Sequence, residues 1–369
     1  MTRCGQSLHS FFCGLFAVLA GIFSVTVTAL ACTTMALGPT HQTLIAYSYD
    51  QRTTGVGVAM VNPVGAIRSS LYDPPRATWR ARFGSVTFNQ AGQGMPTAGM
   101  NSAGLVVTLM WHDEGTYEAE DDRPRVNELE FIQFLLDRAG SVDEALAFAD
   151  EVRVDGMIPI HFFLADAEGA TATLAFDTGR TVVRQGDALP VRALTNASYA
   201  TLIDGVGEFE PFGGDRSLPS SSNRAPTALD DSLVRFAHAA LAIGDGATPV
   251  TTASAFAALD TVRTASTRWQ IVFDPARRSI SYGTTASPHQ GTIQLTNLDF
   301  ACRSRPLAID IKAEVNQAFA GELRPLTEPQ NRTIVRETFG SFAQFDLFGP
   351  EFPAIVSAAQ METMSCTTR

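Results

Sequence analysis

The pattern of apolar and polar positions divides the chain into one long apolar run followed by many short segments. From Phe11 to Leu30 nearly every position is apolar or small. Arg3 supplies a positive start and Ala29-Leu30-Ala31 a small-x-small cleavage site, which predicts a signal peptide over residues 1–31. A membrane-spanning helix needs about 20 apolar residues. The run has that length, but Cys13, Gly14, Gly21, Ser24, Thr26 and Thr28 interrupt it, so removal is expected rather than anchoring. No later segment is long and apolar enough to span a bilayer, and no membrane contact is expected after cleavage.

Beyond residue 31 the pattern is rich in strands. Thr33–Leu37 and Thr43–Tyr49 form a hairpin pattern around Gly-Pro-Thr-His-Gln. Gly104–Met110 reads as a buried strand. Leu129, Ile132, Phe134, Leu135 and Leu136 recur at helical spacing and predict a helix from about Asn127 to Ala139. A second helix is expected after Ser141, with Glu144 as its capping-box partner. Strands are expected at Ile160–Ala165, Ala170–Phe176 and Val191–Thr195, and a surface loop over Gly205–Thr227. Helices follow at Leu229–Ile243 and Ala253–Val262, then strands at Trp269–Phe273, Ser279–Tyr282 and Thr292–Leu295. Two helix blocks between strand blocks favour an α+β layered domain over a βαβ parallel sheet.

Composition narrows the function. The formal net charge of −11 over 369 residues argues against nucleic-acid partners, whose phosphates attract basic surfaces. Apolar residues make up 45% of the chain, ample for a large core. Lysine occurs once, as Lys312. Cleavage would leave three cysteines, Cys32, Cys302 and Cys366. In an oxidising export compartment Cys302 and Cys366 suit a disulfide or stand as two free thiols; both readings remain open. No CxxC or Cys/His cluster suggests zinc, and neither G-x-S-x-G nor HExxH is present, so no cofactor and no metal is expected.

Cys32 would be the first residue after cleavage. Lipidation is one explanation, but that signal wants a large aliphatic residue at Ala29 and a small one at Leu30, so it fits poorly. The other is N-terminal nucleophile catalysis, in which one residue supplies both thiol and base. The thiolate is the attacking species, and an α-amine titrates near pH 8.

Six motifs in register decide between them. They are Cys32-Thr33-Thr34-Met35; Ala46-Tyr47-Ser48-Tyr49-Asp50-Gln51; Gly99-Met100-Asn101-Ser102-Ala103-Gly104-Leu105; Leu194-Thr195-Asn196; Arg235-Phe236-Ala237-His238-Ala239-Ala240; and Thr267-Arg268-Trp269 running on to Asp274. Together they resemble the choloylglycine hydrolase family of linear-amide C–N hydrolases, which includes bile-salt hydrolases and penicillin V acylases.

The resemblance implies an αββα four-layer sandwich in a single domain over residues 32–369. It implies hydrolysis of an N-acyl amide such as a conjugated bile salt, penicillin V or an N-acyl homoserine lactone, through a thioester on Cys32. Asp50 would hold the N-terminal residue, and Asn196 would donate to the oxyanion. The second oxyanion donor would be the Trp111 backbone N–H, ten residues past Asn101. Arg235 would organise the surrounding hydrogen bonds, with Arg224 as its rival. Where the family has an arginine this chain has Tyr47, which takes a place in the substrate pocket together with Asn101; Arg52 is a candidate replacement cation. A periplasmic or secreted enzyme acting on a small N-acyl amide, as a homo-oligomer, is the expectation. An exported, lipidated binding protein of the same fold is the alternative.

Overall fold

The computed structural model describes residues 31–51, 55–220, 225, 227–285, 291–313 and 319–366. The predicted signal segment 1–30, Arg52 and Arg224 lie outside the described residues.

Two large sheets carry most of the strands, and two small sheets hold the rest. In chain order the strands of the large sheets are β1 (Thr33–Leu37), β2 (Leu44–Asp50), β3 (Val58–Asn62), β4 (Ser85–Asn89), β5 (Pro96–Asn101), β6 (Val106–Trp111), β7 (Ile160–Ala165), β8 (Thr171–Asp177), β9 (Arg180–Gln185), β10 (Ala193–Leu194), β11 (Thr267–Asp274), β12 (Ser279–Thr284), β13 (Gly291–Gln294), β14 (Leu307–Asp310) and β15 (Arg324–Pro325). One sheet has the order β10-β1-β2-β11-β12-β13 and the other β9-β8-β7-β6-β5-β4-β3-β14-β15. Every pairing within both is antiparallel.

The strands facing between layers are buried on both sides, so they read as continuous apolar runs rather than alternating ones. β1, β2 and β6 are buried throughout. The sheets meet where the Thr34 and Thr108 hydroxyls lie 2.8 Å apart and the Tyr47 hydroxyl donates to the Leu109 carbonyl.

The helices of eight or more residues are α1 (Glu128–Arg138), α2 (Val142–Ala149), α3 (Tyr199–Val206), α4 (Ala228–Ile243), α5 (Thr252–Thr261), α6 (Glu328–Phe339) and α7 (Phe352–Glu362). α1 covers β5 and β6 of one sheet, while α4 and α5 cover β1, β2 and β11 of the other. The result is the expected αββα layering.

Local chemistry fixes the helix starts. Asn127 caps α1 by accepting from the Leu129 and Glu130 N–H groups, and Glu130 returns a bond to the Asn127 N–H. Ser141 caps α2 through the Glu144 N–H, but the Glu144 carboxylate takes the Gly140 N–H instead of closing a box on Ser141. The expected loop from Gly205 begins inside α3, whose last turn carries Gly205. A Cβ there would meet Leu233 of α4 at 2.5 Å, so this glycine serves helix contact rather than a turn. Cys302 and Cys366 form a disulfide.

Candidate active site

Strand register assembles the site. β1 lies between β10 and β2, with Thr34 opposite Leu194 on one side and Tyr47 on the other. Carrying both registers back two residues places Cys32 across from Asn196 and Tyr49. Thr267 opposite Asp50 extends the line into β11. The Cys32 sulfur, 1% exposed, lies 3.9 Å from the Asp50 carbonyl oxygen.

Arg235 binds this assembly together. It projects from the second turn of α4 and is 1% exposed. One terminal nitrogen donates to the Cys32 carbonyl at 2.6 Å and to Thr33 Oγ1 at 2.7 Å. The other donates to Asn196 Oδ1 at 3.1 Å, and Asp231 one turn earlier accepts from Nε and Nη2 at 2.9 and 2.8 Å. A guanidinium can only donate. The Asn196 amide is therefore oriented with its oxygen toward Arg235 and its NH2 group away.

That NH2 group has no hydrogen-bond partner although it is buried. Buried donors are nearly always paired, so an orphan one marks a place where an acceptor is expected. The asparagine backbone is held firmly: its N–H donates to Ser232 Oγ at 2.9 Å, and His161 Nε2 donates to the preceding Thr195 carbonyl at 2.7 Å. His161 stacks on His112 at 4.6 Å, and His112 is anchored by Asp177. Burial, then the neighbouring His112, hold His161 well below the usual histidine range, so it remains neutral.

Trp111 ends β6. Its neighbour His112 donates its backbone N–H to Pro159 across β7, so alternation turns the Trp111 N–H toward the β5 side. There β5 has already stopped pairing, its last partner being Thr108. The Trp111 N–H thus faces the opening beside Cys32, with the indole as part of the same cavity wall.

Asp50 is fully buried. Ser48 Oγ donates to its Oδ1 at 3.3 Å, while Oδ2 has no hydrogen-bond partner. Burial raises its pKa to about 7 despite the opposing charge of Arg235. Burial likewise pushes the Cys32 thiol up to about 12, with Asp50 adding to the rise and Arg235 opposing it. A sulfur in this state does not ionise alone at neutral pH; it needs a proton acceptor in contact with it.

Two expected pocket residues stand elsewhere. Tyr47 is wholly buried behind the sulfur and points into the sheet interface, toward Leu109. Tyr49 shares that face of β2, its ring 6.2 Å from the Tyr47 ring, but sits one step nearer the strand end, and it is Tyr49 that reaches the cavity, with its hydroxyl on Gln90 Oε1. Asn101 is a turn residue. Its oxygen accepts from the Ala103 and Leu105 N–H groups and its NH2 donates to the Leu136 and Ala139 carbonyls. All its capacity is spent on joining the β5–β6 turn to the end of α1.

A cavity of about 590 Å³ opens from Cys32, Tyr49, Asp50 and Trp111. Its far wall carries phenylalanines of α6, α7 and the turn between them, which sequence reasoning passed over. Their signal was present: Phe339, Phe342, Phe345, Phe348 and Phe352 recur every three or four residues. Among the described residues no group of His, Cys, Asp and Glu is arranged to hold a metal ion.

Comparison with known proteins adds a matched segment and a shared fold. Residues 67–244 match the family model of acyl-coenzyme A:6-aminopenicillanic acid acyl-transferase, a segment holding Trp111, Asn196 and Arg235 but not Cys32 or Asp50. No curated protein matches the chain by sequence. The fold is shared with penicillin V acylase from Agrobacterium tumefaciens, at 23% identity and a TM-score of 0.66, over 80% of this chain and 98% of that one. It is also shared with a mutant conjugated bile acid hydrolase from Clostridium perfringens, at 14% identity and a TM-score of 0.59, over 77% of this chain and 97% of that one. The matched segment and the shared fold agree with the resemblance carried by the sequence motifs.

Proposed function

We propose that this chain hydrolyses linear N-acyl amides, with Cys32 as nucleophile after residues 1–31 are removed during export. The observation that carries the reading is the orphan Asn196 NH2, oriented by Arg235 and set across from Cys32 by strand register.

Cleavage before Cys32 would create an α-amine next to Asp50, whose Oδ2 has no other partner. The carboxylate would hold the amine against the sulfur. As the sulfur bonds to the amide carbon, the thiol proton passes to the amine. The carbonyl oxygen becomes an oxyanion facing the Asn196 NH2 and the Trp111 N–H. The C–N bond then breaks, and the ammonium returns its proton to the leaving amine. Water, deprotonated by the same amine, hydrolyses the thioester and restores the thiol. Oriented donors are worth about 3–4 kcal/mol of barrier because they are already aligned.

Lipidation of Cys32 receives no support from the site. Cys32 is 1% exposed at the inner end of a cavity of about 590 Å³, which suits one acyl group of moderate size and not the two long chains of a diacylglycerol.

The test is the exported protein itself. Amino-terminal sequencing should begin at Cys32 with a free amine. A panel of conjugated bile salts, phenoxyacyl penicillins, N-acyl homoserine lactones and N-acyl amino acids should yield acid and amine, and Cys32→Ala should abolish turnover. Undiminished hydrolysis by Cys32→Ala, or a different or blocked first residue in the active protein, would refute the reading.

A further inference from the structure

The cavity has two unlike origins. Its reactive end comes from β1, β2, β6 and α4. Its apolar end comes from residues past 320, beyond both the matched family segment and the sequence motifs, which end at Asp274. We propose that the α6–α7 hairpin is the specificity element of this enzyme, and that it selects a bulky apolar acyl group, medium-chain alkanoyl or arylalkanoyl. The proposal rests on the amide-hydrolase reading for its chemistry but makes a separate claim about binding.

Four observations support it. First, Phe339, Phe342, Phe345, Phe352, Ile355 and Val356 all face the cavity. The rings form one interlocked cluster, with centroids 4.5 Å apart for Phe339 and Phe345 and 5.5 Å for Phe339 and Phe352. Second, the cluster reaches the reacting centre. Phe342 stacks on the Trp111 indole at 6.3 Å with the planes 10° apart, and the Trp111 N–H is the proposed oxyanion donor. An acyl carbon seated on Cys32 would have its chain led onto these rings.

Third, the hairpin is a fixed wall. Asn331 Oδ1 accepts the Gln93 N–H at 2.8 Å, Gln93 Nε2 donates to the Gln360 carbonyl at 3.0 Å, and Gln360 Nε2 donates to the Ala91 carbonyl at 2.8 Å. Asn331 and Gln360 are fully buried. They dock on the β4–β5 turn, where Gly92 has φ +100° and any Cβ would lie 2.2 Å from Gln360 Oε1. The Cys302–Cys366 disulfide closes the segment behind them. A wall held this way discriminates by size because it cannot yield cheaply.

Fourth, the lining fits an uncharged chain. From Phe339 to Ala359 the hairpin presents no charged residue to the cavity; the charges stand at its margins, with Glu362 at the last position of α7 and Arg76, Asp73 and Arg125 on the strand-side segments. Its volume lies in the range that encloses ligands well above an acetyl group.

The experiment uses the processed protein and 4-nitroanilides of acetic, octanoic and phenylacetic acids. Wild type should prefer octanoyl and phenylacetyl to acetyl by a hundredfold or more in kcat/KM. Val356→Trp, which fills the cavity, should cut the octanoyl-to-acetyl ratio at least tenfold, mostly through KM. Ala359→Phe on the same helix face provides a second filling variant should the first fold poorly. In parallel, sodium octanoate is titrated calorimetrically into Cys32→Ala protein. It should bind, and binding should be lost on adding Val356→Trp or Ala359→Phe. Octanoate binding that depends on the hairpin, without turnover of any amide, would sink the hydrolase reading and spare this one. Turnover with an unchanged octanoyl-to-acetyl ratio in both variants, or no octanoate binding, would overturn the hairpin's role and spare the chemistry.

Discussion

The two ends of the cavity are built on opposite principles. At the Cys32 end nearly every contact is a directional hydrogen bond between buried groups. Arg235 alone joins Cys32, Thr33, Asn196 and Asp231. At the α6–α7 end the wall is aromatic rings in contact, with the polar bonds placed behind it on Asn331 and Gln360. Buried polar networks are costly when any partner is missing. Apolar walls tolerate substitution if volume is kept. The polar end should therefore fail by loss of rate, and the apolar end by change of substrate. That division is the comparison to break.

Asn196→Ala offers the largest effect. It removes one oriented donor and leaves Arg235 still paired with Asp231. We expect kcat to fall by about 10²–10³-fold, with octanoate affinity for the site unchanged. A loss confined to KM would mean that Asn196 grips substrate and not the transition state, and the two ends would no longer differ in kind.

Asp50→Asn is next, and it separates the unprocessed chain from the cleaved one. In the unprocessed protein burial raises Asp50 from 3.8 to about 7. The folded state then binds the proton more tightly than the unfolded state. The resulting stability is complete below pH 4, is lost as pH rises toward 7, and is gone above it. The slope is at most about 1.4 kcal/mol per pH unit. Because Glu128 is also raised to about 7, the readout is the difference between Asp50→Asn and its parent in denaturant unfolding from pH 4 to 8. The substitution should flatten that slope in the unprocessed chain. In the processed chain the new α-amine supplies a partner for the carboxylate, so the parent itself should be flatter. Equal slopes before and after processing would show that Asp50 does not meet the amine.

Legibility in the sequence follows the same division. The polar end was readable because its parts sit at strand ends and a helix start in short motifs: Asn196 after Leu194, Asp50 at the end of β2, Arg235 in α4. Register then brings them together over long sequence separations. What could not be read was which of two tyrosines on one face of β2 lines the cavity, because residues two apart point the same way and the whole strand is buried. Asn101 misled for a related reason: a turn asparagine and a binding asparagine look alike until the four backbone partners are seen. The apolar end went unread because its identity depends on what it packs against. Five spaced phenylalanines predict a helical stripe, and nothing local says that the stripe faces a cavity belonging to Cys32.

The smallest effect expected is the most exacting for the polar end. His161→Phe keeps a ring against His112 but removes the donor to the Thr195 carbonyl. Leaving that buried acceptor unpaired should cost about 1–3 kcal/mol of stability. Asn196 would keep its Ser232 contact and its bond to Arg235. We therefore expect kcat to fall less than tenfold while KM for an octanoyl amide stays the same, measured on protein that remains folded. Because His161 is held neutral, its removal should not move the pH profile of kcat. A large drop in kcat would mean that the backbone at Thr195, rather than Arg235, sets the position of the Asn196 donor. A shift in KM would mean that the two ends communicate through the β6–β7 pair, and the division between rate and selectivity would fail there.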